Sequence, residues 1–476
     1  MKLENEPSEV TDRVDETVDL IVVGGGVAGL TAAITAAERG AGVLLIEKQD
    51  HLGGSALYSA GNLMDLRGPA ALDHLVALSF GRTPIDVLEA YSHGLAELVD
   101  WLHERGADTE YLSEEVFPNC WPLSPGANDV RYFAVQGELA PGPNLVATLA
   151  AAADQLGVRL LTKTSLVRLL TEQRTVVGAE ARFSDGTNRE IRSRRGVVLA
   201  AGGFENDPQL TDAYLPVGPV FPVGTVGNTG DALRAAEALG AALWHMSAFY
   251  GFWCYRVPEF ASALPLLFFS PAHLMVGPDG RRFHAETGRE AHDALRIIGD
   301  YLPHRRQVPG LPAHIIFDAG LLAAGPLCRF ASPTGYVWSE DNSRELAAGW
   351  IRRASGPREL AEILDLDADV LTQTIHDYNH GATNGTDNDF HRPPSSMAPV
   401  DTGNLMALTM WPGVATTSGG PRRDGAARVL HRDGPAIPGL FAAGGTGGVW
   451  GHLTEHGGGL TDGLVFGRIA AITALS

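Results

Sequence analysis

Two glycine-rich stretches and one aromatic run hold the residues whose types and spacing can do chemistry. In the first, Leu20-Ile-Val-Val-Gly-Gly-Gly-Val-Ala-Gly29, an apolar run reaches Gly24, Gly26 and Gly29 in G-x-G-x-x-G spacing, and an alanine-rich stretch follows to Gly40. Gly24 permits a tight turn, Gly26 lets the backbone approach a pyrophosphate at a helix N-terminus, and Gly29 allows close packing of helix on strand. Glu47, about 20 residues further on, is placed to accept hydrogen bonds from a ribose. In the second stretch, Thr446-Gly-Gly-Val-Trp-Gly-His-Leu-Thr-Glu-His-Gly-Gly-Gly459, three glycines open a final helix. The unpaired amides at its start carry the positive end of the helix dipole and make a second anion or carbonyl site. The aromatic run holds His245, Phe249, Tyr250, Phe252, Trp253 and Tyr255.

The elements that must position these residues follow from hydrophobic period and turn residues. A strand, a glycine turn and a helix open the ordered chain, and a second strand over 42–46 ends at Glu47. A polar loop over 49–62 lies beyond it. A helix is expected over about 84–105, with Leu88, Tyr91, Leu95, Leu98, Val99 and Leu102 on its core face. The proline- and aromatic-rich segment 116–136 reads as a long loop able to line a pocket. A helix over 145–155 precedes strands over 158–162, 165–172 and 176–183, and the turn Ser184-Asp-Gly-Thr187 closes a hairpin back to 189–191. A buried strand over 196–201 runs into Gly202-Gly203, where a backbone can approach closely. The next helix starts near Asn228, with Thr229 as its cap and Gly240 as its stop. Between 241 and 392 aromatics, histidines, prolines and arginines cluster. An inserted second domain is expected there, with a turn at 276–286 and a helix at 369–380 as landmarks. The first domain resumes over 393–476 and ends in a short strand over 438–445 and the final helix, 460–475. The expected organisation is a leader over 1–17, a discontinuous domain over 18–240 plus 393–476, and the insert.

Composition narrows the class. With 476 residues and 45% apolar content the chain can bury a large core. A formal charge of −20 argues against nucleic acid or an anionic membrane as partner. Cys120, Cys254 and Cys328 are too few and too scattered for a disulfide framework or a zinc site, so no metal is expected. The polar, acidic N-terminus has no signal core, and no apolar run reaches the roughly 20 residues of a membrane span, so a cytoplasmic protein is expected.

Taken together, the motifs resemble the flavoprotein superfamily of fumarate reductase and succinate dehydrogenase flavoprotein subunits, which includes the 3-ketosteroid dehydrogenases. The resemblance rests on residues 24–29 with Glu47-Lys48, Leu52-Gly-Gly-Ser55 with Ser59-Ala-Gly61, and Ala200-Ala-Gly-Gly-Phe204. It continues through Asn228-Thr-Gly-Asp231, Gly280-Arg-Arg-Phe283 with Glu286, Tyr378-Asn379, residues 417–420, Ile437-Pro-Gly-Leu-Phe-Ala-Ala-Gly444 and Val465-Phe-Gly-Arg468. It implies an α/β fold: a Rossmann-like FAD-binding domain of the glutathione-reductase type with an inserted α+β capping domain. It further implies an FAD cradle of Gly24, Gly26, Val27, Ala28, Gly29, Glu47 and Lys48 from the first turn and second strand. Gly54, Ser55, Ala60 and Gly61 come from the polar loop. Leu166, Ala201, Gly202 and Asp231 come from the middle, and Gly444, Gly445, Gly459 and Leu460 from the end. Ala56 stands where members with covalent FAD carry a histidine, so noncovalent FAD is expected.

Departures from the family bear on the reaction. Fumarate reductases carry H-G-A-N-R before the last glycines, and an ungapped comparison sets Trp450 at that histidine and Thr454 at the arginine that clamps a substrate carboxylate. Their catalytic cap arginine falls near Phe269. The steroid dehydrogenases carry a late tyrosine that is missing here and a tyrosine base in the cap, for which Tyr250 and Tyr255 are the candidates. The resemblance therefore implies a dehydrogenase that introduces a C=C bond α,β to a carbonyl of a small molecule such as a cyclic ketone. Hydride passes to flavin N5 and an acid/base group takes the α-proton. His456 and the amides of Gly457, Gly458 and Gly459 are candidate enolate stabilisers. Glu455 is either a base with a raised pKa or a solvated loop acid, and Trp450 packs either on substrate or flavin or in the core. Arg281 and Arg282 read as ion-pair partners of Glu286, and Tyr132 is a pocket candidate. The same chemistry run backwards, as an ene-reductase, is the first alternative, and a non-catalytic FAD-fold binding protein the second. No second nucleotide-binding unit signals a nicotinamide site, so the electron acceptor stays open among oxygen, a quinone and another flavoprotein.

Overall fold

A computed structural model of the chain describes residues 17–113, 118–287, 294–299 and 310–476. Apart from Thr17 the expected leader lies outside the described residues, as do positions 116 and 117 of the expected pocket loop. The chain forms two compact units. Unit 1 is drawn from Met1–Leu215, Thr225–Phe249 and Thr416–Ser476, and unit 2 from Pro216–Gly224 and Tyr250–Ala415.

Unit 1 is built on a six-stranded sheet. Its order is Arg428–Leu430, Ala436–Ala442, Val197–Leu199, Leu20–Val23, Val43–Ile46, Arg159–Leu161, and only the Arg428–Leu430 edge is antiparallel. All four residues of Leu20–Val23 are buried, as expected of a parallel strand covered on both faces. The chain turns at Gly24 straight into the first helix, Val27–Ala37, which is buried through Ala36. The last helix, Gly458–Leu475, lies against it. Glycine permits that approach, because a Cβ at Gly467 would sit 2.5 Å from the Ala28 carbonyl oxygen. By length and composition the last helix is apolar enough to cross a membrane, but most of it is buried inside unit 1, the signature of a core helix. A four-stranded sheet contains the expected hairpin as Ser165–Glu172, Thr175–Arg182 and Asn188–Ser193.

Three expectations change here. The segment 116–136 is not all loop, since Val130–Val135 is the central strand of an antiparallel sheet between Asn62–Leu66 and Thr109–Tyr111. Five of its six residues are buried, so the period-two alternation that marks a half-exposed strand is lost. The helix over 84–105 breaks at Glu97 into Ile85–Ala96 and Leu98–His103. Gly230, with φ 76°, holds the cap position before Asp231–Ala238, and Thr229 instead bonds the Asp231 carboxylate at 2.8 Å.

In unit 2 the sheet order is Leu264–Pro265, Phe249–Tyr255, Leu405–Thr417, Ala313–Phe317, His273–Val276, with Arg352–Ala354 also paired to the long strand. Helices Pro357–Leu364 and Ala368–Asn384 close a core that includes Leu274, Ile316, Leu360, Ile375 and Tyr378.

Candidate active site

The turn expected to cradle a nucleotide in unit 1 has a steric basis. Gly24 has φ 106°, and a Cβ there would lie 2.4 Å from the Ala200 carbonyl oxygen; a Cβ on Gly29 would lie 1.8 Å from that of Gly24. No side chain larger than hydrogen allows this strand-to-helix step. Gly26 caps the first helix without a side-chain hydrogen bond, and no acid stands in the first turn, which contains Val27 and Ala28, so the positive end of that helix is left for a ligand. The polar loop folds onto the turn through Gly53 N–H to Gly25 O at 2.8 Å. It carries Gly54, Ser55, Ala60 and Gly61, with Ser55 Oγ accepting from Asn228 at 3.1 Å and Gly61 at φ 72°.

The other expected cradle residues also lie in unit 1. The Glu47 carboxylate accepts from the N–H groups of Gly25 and Gln49, each at 2.7 Å, so it braces the turn. Lys48 Nζ bonds Asp231 at 2.7 Å and Thr229 at 2.6 Å. Gly202 and Gly444, at φ 74° and 62°, follow strands Val197–Leu199 and Ala436–Ala442, beside Ala201 and Gly445. Leu166 is part of the sheet core. Gly459 and Leu460 lie in the first turn of the last helix, where a Cβ at Gly459 would meet nothing within 4 Å. Two helix starts without side-chain caps and backbone positions open to close approach fit a dinucleotide. Ala56, buried and without a nucleophilic atom, fits noncovalent retention.

A polar cluster stands just before the last helix. Strand Val130–Val135 presents Tyr132, helix Ala71–Ser79 presents His74, and the turn before Gly457 presents Glu455. Tyr132 donates to Glu455 Oε2 at 2.5 Å, and Glu455 Oε1 lies 3.0 Å from His74 Nε2. On its far side His74 Nδ1 lies 2.9 Å from Ser124 Oγ and 3.1 Å from the Pro125 carbonyl oxygen. Gly126, with φ 70°, brings that loop against the helix, since a Cβ there would strike the Ala70 carbonyl at 2.3 Å. Burial and the neighbouring Glu455 carboxylate push the Tyr132 hydroxyl pKa well above its ordinary value. The His456 ring meets the Tyr132 ring edge-on at 5.4 Å.

The rest of the segment is held by unit 1. Thr454 is buried, and its carbonyl accepts from Trp121 Nε1 at 2.7 Å. Trp450 is buried against Tyr91, edge-on at 5.8 Å, and against the Gly458 backbone, which places it in the core of the described structure. The Tyr91 hydroxyl bonds Thr461 at 2.6 Å. Glu455 is no solvated loop acid, because its side chain is wholly buried. Arg82 reaches the segment and gives a hydrogen bond to the Gly451 carbonyl at 3.3 Å.

Unit 2 carries the expected cap residues. Tyr250 is buried on strand Phe249–Tyr255; Tyr255 is half-buried, its ring lies tilted against that of Trp350 at 5.1 Å, and burial raises its pKa. Phe269 is exposed beneath the Arg329 guanidinium, 4.3 Å from the ring centre. Arg282 is an ion-pair partner of Glu286, as expected, but inside the unit: it meets Glu286 at 2.7 Å and Asp387 at 2.9 Å, and Arg392 meets Glu286 at 3.0 Å. Burial alone would raise the Glu286 carboxyl, but the hydrogen bond and charge of Arg282, with the neighbouring His284 and the charge of Arg392, hold it at about 2. Among the described residues no cluster of His, Cys, Asp or Glu suited to a metal occurs.

His74 and Ser124 were not among the residues expected from sequence. The available signal is positional: His74 shares the helical stripe of Ala71, Leu75 and Leu78, all buried, and a histidine on such a stripe needs polar partners.

Comparison with known proteins is consistent with this geometry. The model of a family described as FAD binding domain matches residues 19–461. A 3-oxosteroid 1-dehydrogenase of Mycolicibacterium smegmatis is 28% identical over 95% of this chain and 96% of its own length. A probable fumarate reductase of Shewanella frigidimarina is 28% identical over 96% of this chain and 75% of its own. Among solved structures, the 3-ketosteroid Δ1-dehydrogenase of Sterolibacterium denitrificans, in complex with 1,4-androstadiene-3,17-dione, superposes with a TM-score of 0.85 at 24% identity, covering 96% of this chain and 99% of that one.

Proposed function

The chain belongs to the FAD binding domain family, and from that premise we propose that it is a dehydrogenase that introduces a C=C bond α,β to the carbonyl of a neutral small molecule such as a cyclic ketone. Its cofactor is FAD, and its relatives are oxidoreductases of carbon–carbon bonds. In this reading unit 1 is a Rossmann-like FAD domain of the glutathione-reductase type, and unit 2 has the capping role. The two helix starts and the Gly24, Gly202 and Gly444 turns would hold FAD, which when bound would supply the acceptor for the substrate's β-hydride.

The observation that carries the reading is the composition of the segment before the last helix. Residues 450–459 contain no lysine or arginine, and Thr454 stands where a carboxylate clamp would be. Arg82 does not supply the missing clamp, since it is exposed and bonds a backbone carbonyl. A dicarboxylate would therefore meet the buried Glu455 without a fixed cation of the segment's own, whereas a neutral carbonyl needs only hydrogen-bond donors. His456 and the amides of Gly457 and Gly459 are the candidate donors to a developing enolate oxygen, beside the Tyr132 hydroxyl, whereas the expected Gly458 N–H is already given to the Glu455 carbonyl at 3.0 Å. Tyr250 and Tyr255 keep the role of candidate α-proton base that the family resemblance suggests.

Anaerobic mixing of the FAD-loaded protein with saturated cyclic ketones, and separately with succinate, tests this. Loss of the flavin's blue absorption with ketones is expected; bleaching by succinate alone would overturn the substrate class. Substituting Tyr250 and Tyr255 singly by phenylalanine separates them, because loss of a general base slows flavin reduction by about 100-fold or more. Unchanged rates in both variants would remove both from the mechanism.

A further inference from the structure

Hydrogen-bond accounting around His74 leaves few choices for its protons. The Pro125 carbonyl oxygen, 3.1 Å from Nδ1, can only accept. Ser124 Oγ, 2.9 Å from the same nitrogen, gives its own hydrogen to the Trp121 carbonyl at 2.7 Å, so it accepts as well. Nδ1 therefore carries a hydrogen. The Nε2 contact with Glu455 Oε1 at 3.0 Å then holds one proton, as imidazolium facing carboxylate or as imidazole facing carboxylic acid. The second Glu455 oxygen takes the Tyr132 hydroxyl at 2.5 Å.

Two features make this more than a brace. His74 is 0%, Glu455 2% and Tyr132 3% exposed, and among the described residues no lysine or arginine pairs with Glu455, so the links run through exchangeable hydrogens and not through a permanent ion. The ends also differ. Tyr132 lies against His456, while Ser124 is partly exposed in a loop whose neighbouring Leu123 is 99% exposed.

We propose that Tyr132, Glu455, His74 and Ser124 form a proton path between the buried end of the site and the surface loop at 121–125. A proton accepted at the Tyr132 oxygen sends the hydroxyl proton to Glu455 Oε2. The proton shared by Glu455 Oε1 and His74 settles on Nε2, and Nδ1 releases one to Ser124 Oγ and solvent. One proton enters, one leaves, and no electrons move. The proposal rests on the desaturation reading only for what the path serves: the α-proton that must leave the site.

The test begins on the resting FAD-loaded protein without substrate. Nitrogen-15 NMR of labelled histidine should show Nδ1 of His74 protonated, and the buried proton shared with Glu455 should exchange with deuterated water despite its burial. Ser124→Ala should slow that exchange severalfold. Glu455→Gln keeps both hydrogen bonds, with its carbonyl accepting from Tyr132 and its amide donating to Nε2, but has no proton to pass. It should leave FAD retention intact and slow ketone-driven flavin reduction by about 100-fold. A bare Nδ1, exchange unaffected by Ser124→Ala, or an unchanged reduction rate in Glu455→Gln would each overturn the path. Failure of every ketone to bleach the flavin would fell the desaturation reading alone, since protonation and exchange are read without substrate. Should Glu455→Gln not fold, the Ser124→Ala exchange still decides, because that side chain lies in the partly exposed loop.

Discussion

Among the carboxylates that the two units bury, Glu286 of unit 2 and Glu455 of unit 1 have opposite kinds of partner. In unit 2, Glu286 is held by Arg282 and Arg392, with Asp387 sharing Arg282. Arg392 also donates to the backbone oxygens of His273 at 2.7 Å and Ser396 at 2.6 Å. Arginine does not lose its proton in a protein, so the direct ion-pair partners of Glu286 keep their charge and the cluster works as a lock. In unit 1, Glu455 is held by a histidine and a tyrosine, which can both exchange protons. Burial is near complete in both places. The difference lies in whether the partners are permanent ions, and that decides whether a buried charge serves shape or chemistry.

The largest effect that tests this contrast is on stability in unit 2. Glu286→Gln leaves Arg282 and Arg392 short of a buried counter-charge, and a loss of about 3–5 kcal/mol is expected from the shift of a urea unfolding midpoint. A loss below about 1 kcal/mol would mean that the cluster is no lock.

Next in size is the acid dependence. The folded-state pKa of Glu286, about 2, lies below its ordinary value of 4.5. Above the ordinary value its stabilisation is complete; as pH falls through 4.5 towards 2 the unfolded chain takes up the proton first, and stability drops. The drop should be on the order of 3 kcal/mol and should be missing from Glu286→Gln. Unfolding free energies measured across that range in both proteins check it, and equal slopes would refute the assignment.

The smallest expected effect is the thermodynamic cost of Glu455→Gln. Both hydrogen bonds survive in the variant, so stability should change by no more than about 1 kcal/mol, although proton transfer is lost. A loss as large as that at Glu286 would place both clusters in the same structural role and erase the contrast.

The geometry of the first glycine turn was legible because its causes are local. A turn that leaves 1.8 Å between a would-be Cβ and a carbonyl oxygen admits only glycine, and that constraint is written at Gly29 itself. The proton-carrying cluster was legible only in part. Tyr132 and Glu455 were candidates by their place in the chain, but strand Val130–Val135 was hidden because burial on both faces removes alternation. His74 carried no partner in its neighbourhood, and Glu455 read equally well as a solvated acid.

The sequence by itself determined a dinucleotide turn, a second uncapped helix start and a segment without a carboxylate clamp, because each depends on residues a few positions apart. Only the tertiary structure decided what Glu455 is. Its partners lie 381 and 323 residues away, and a carboxyl group's charge, strength and proton traffic depend on the groups within hydrogen-bond reach and the water excluded around them.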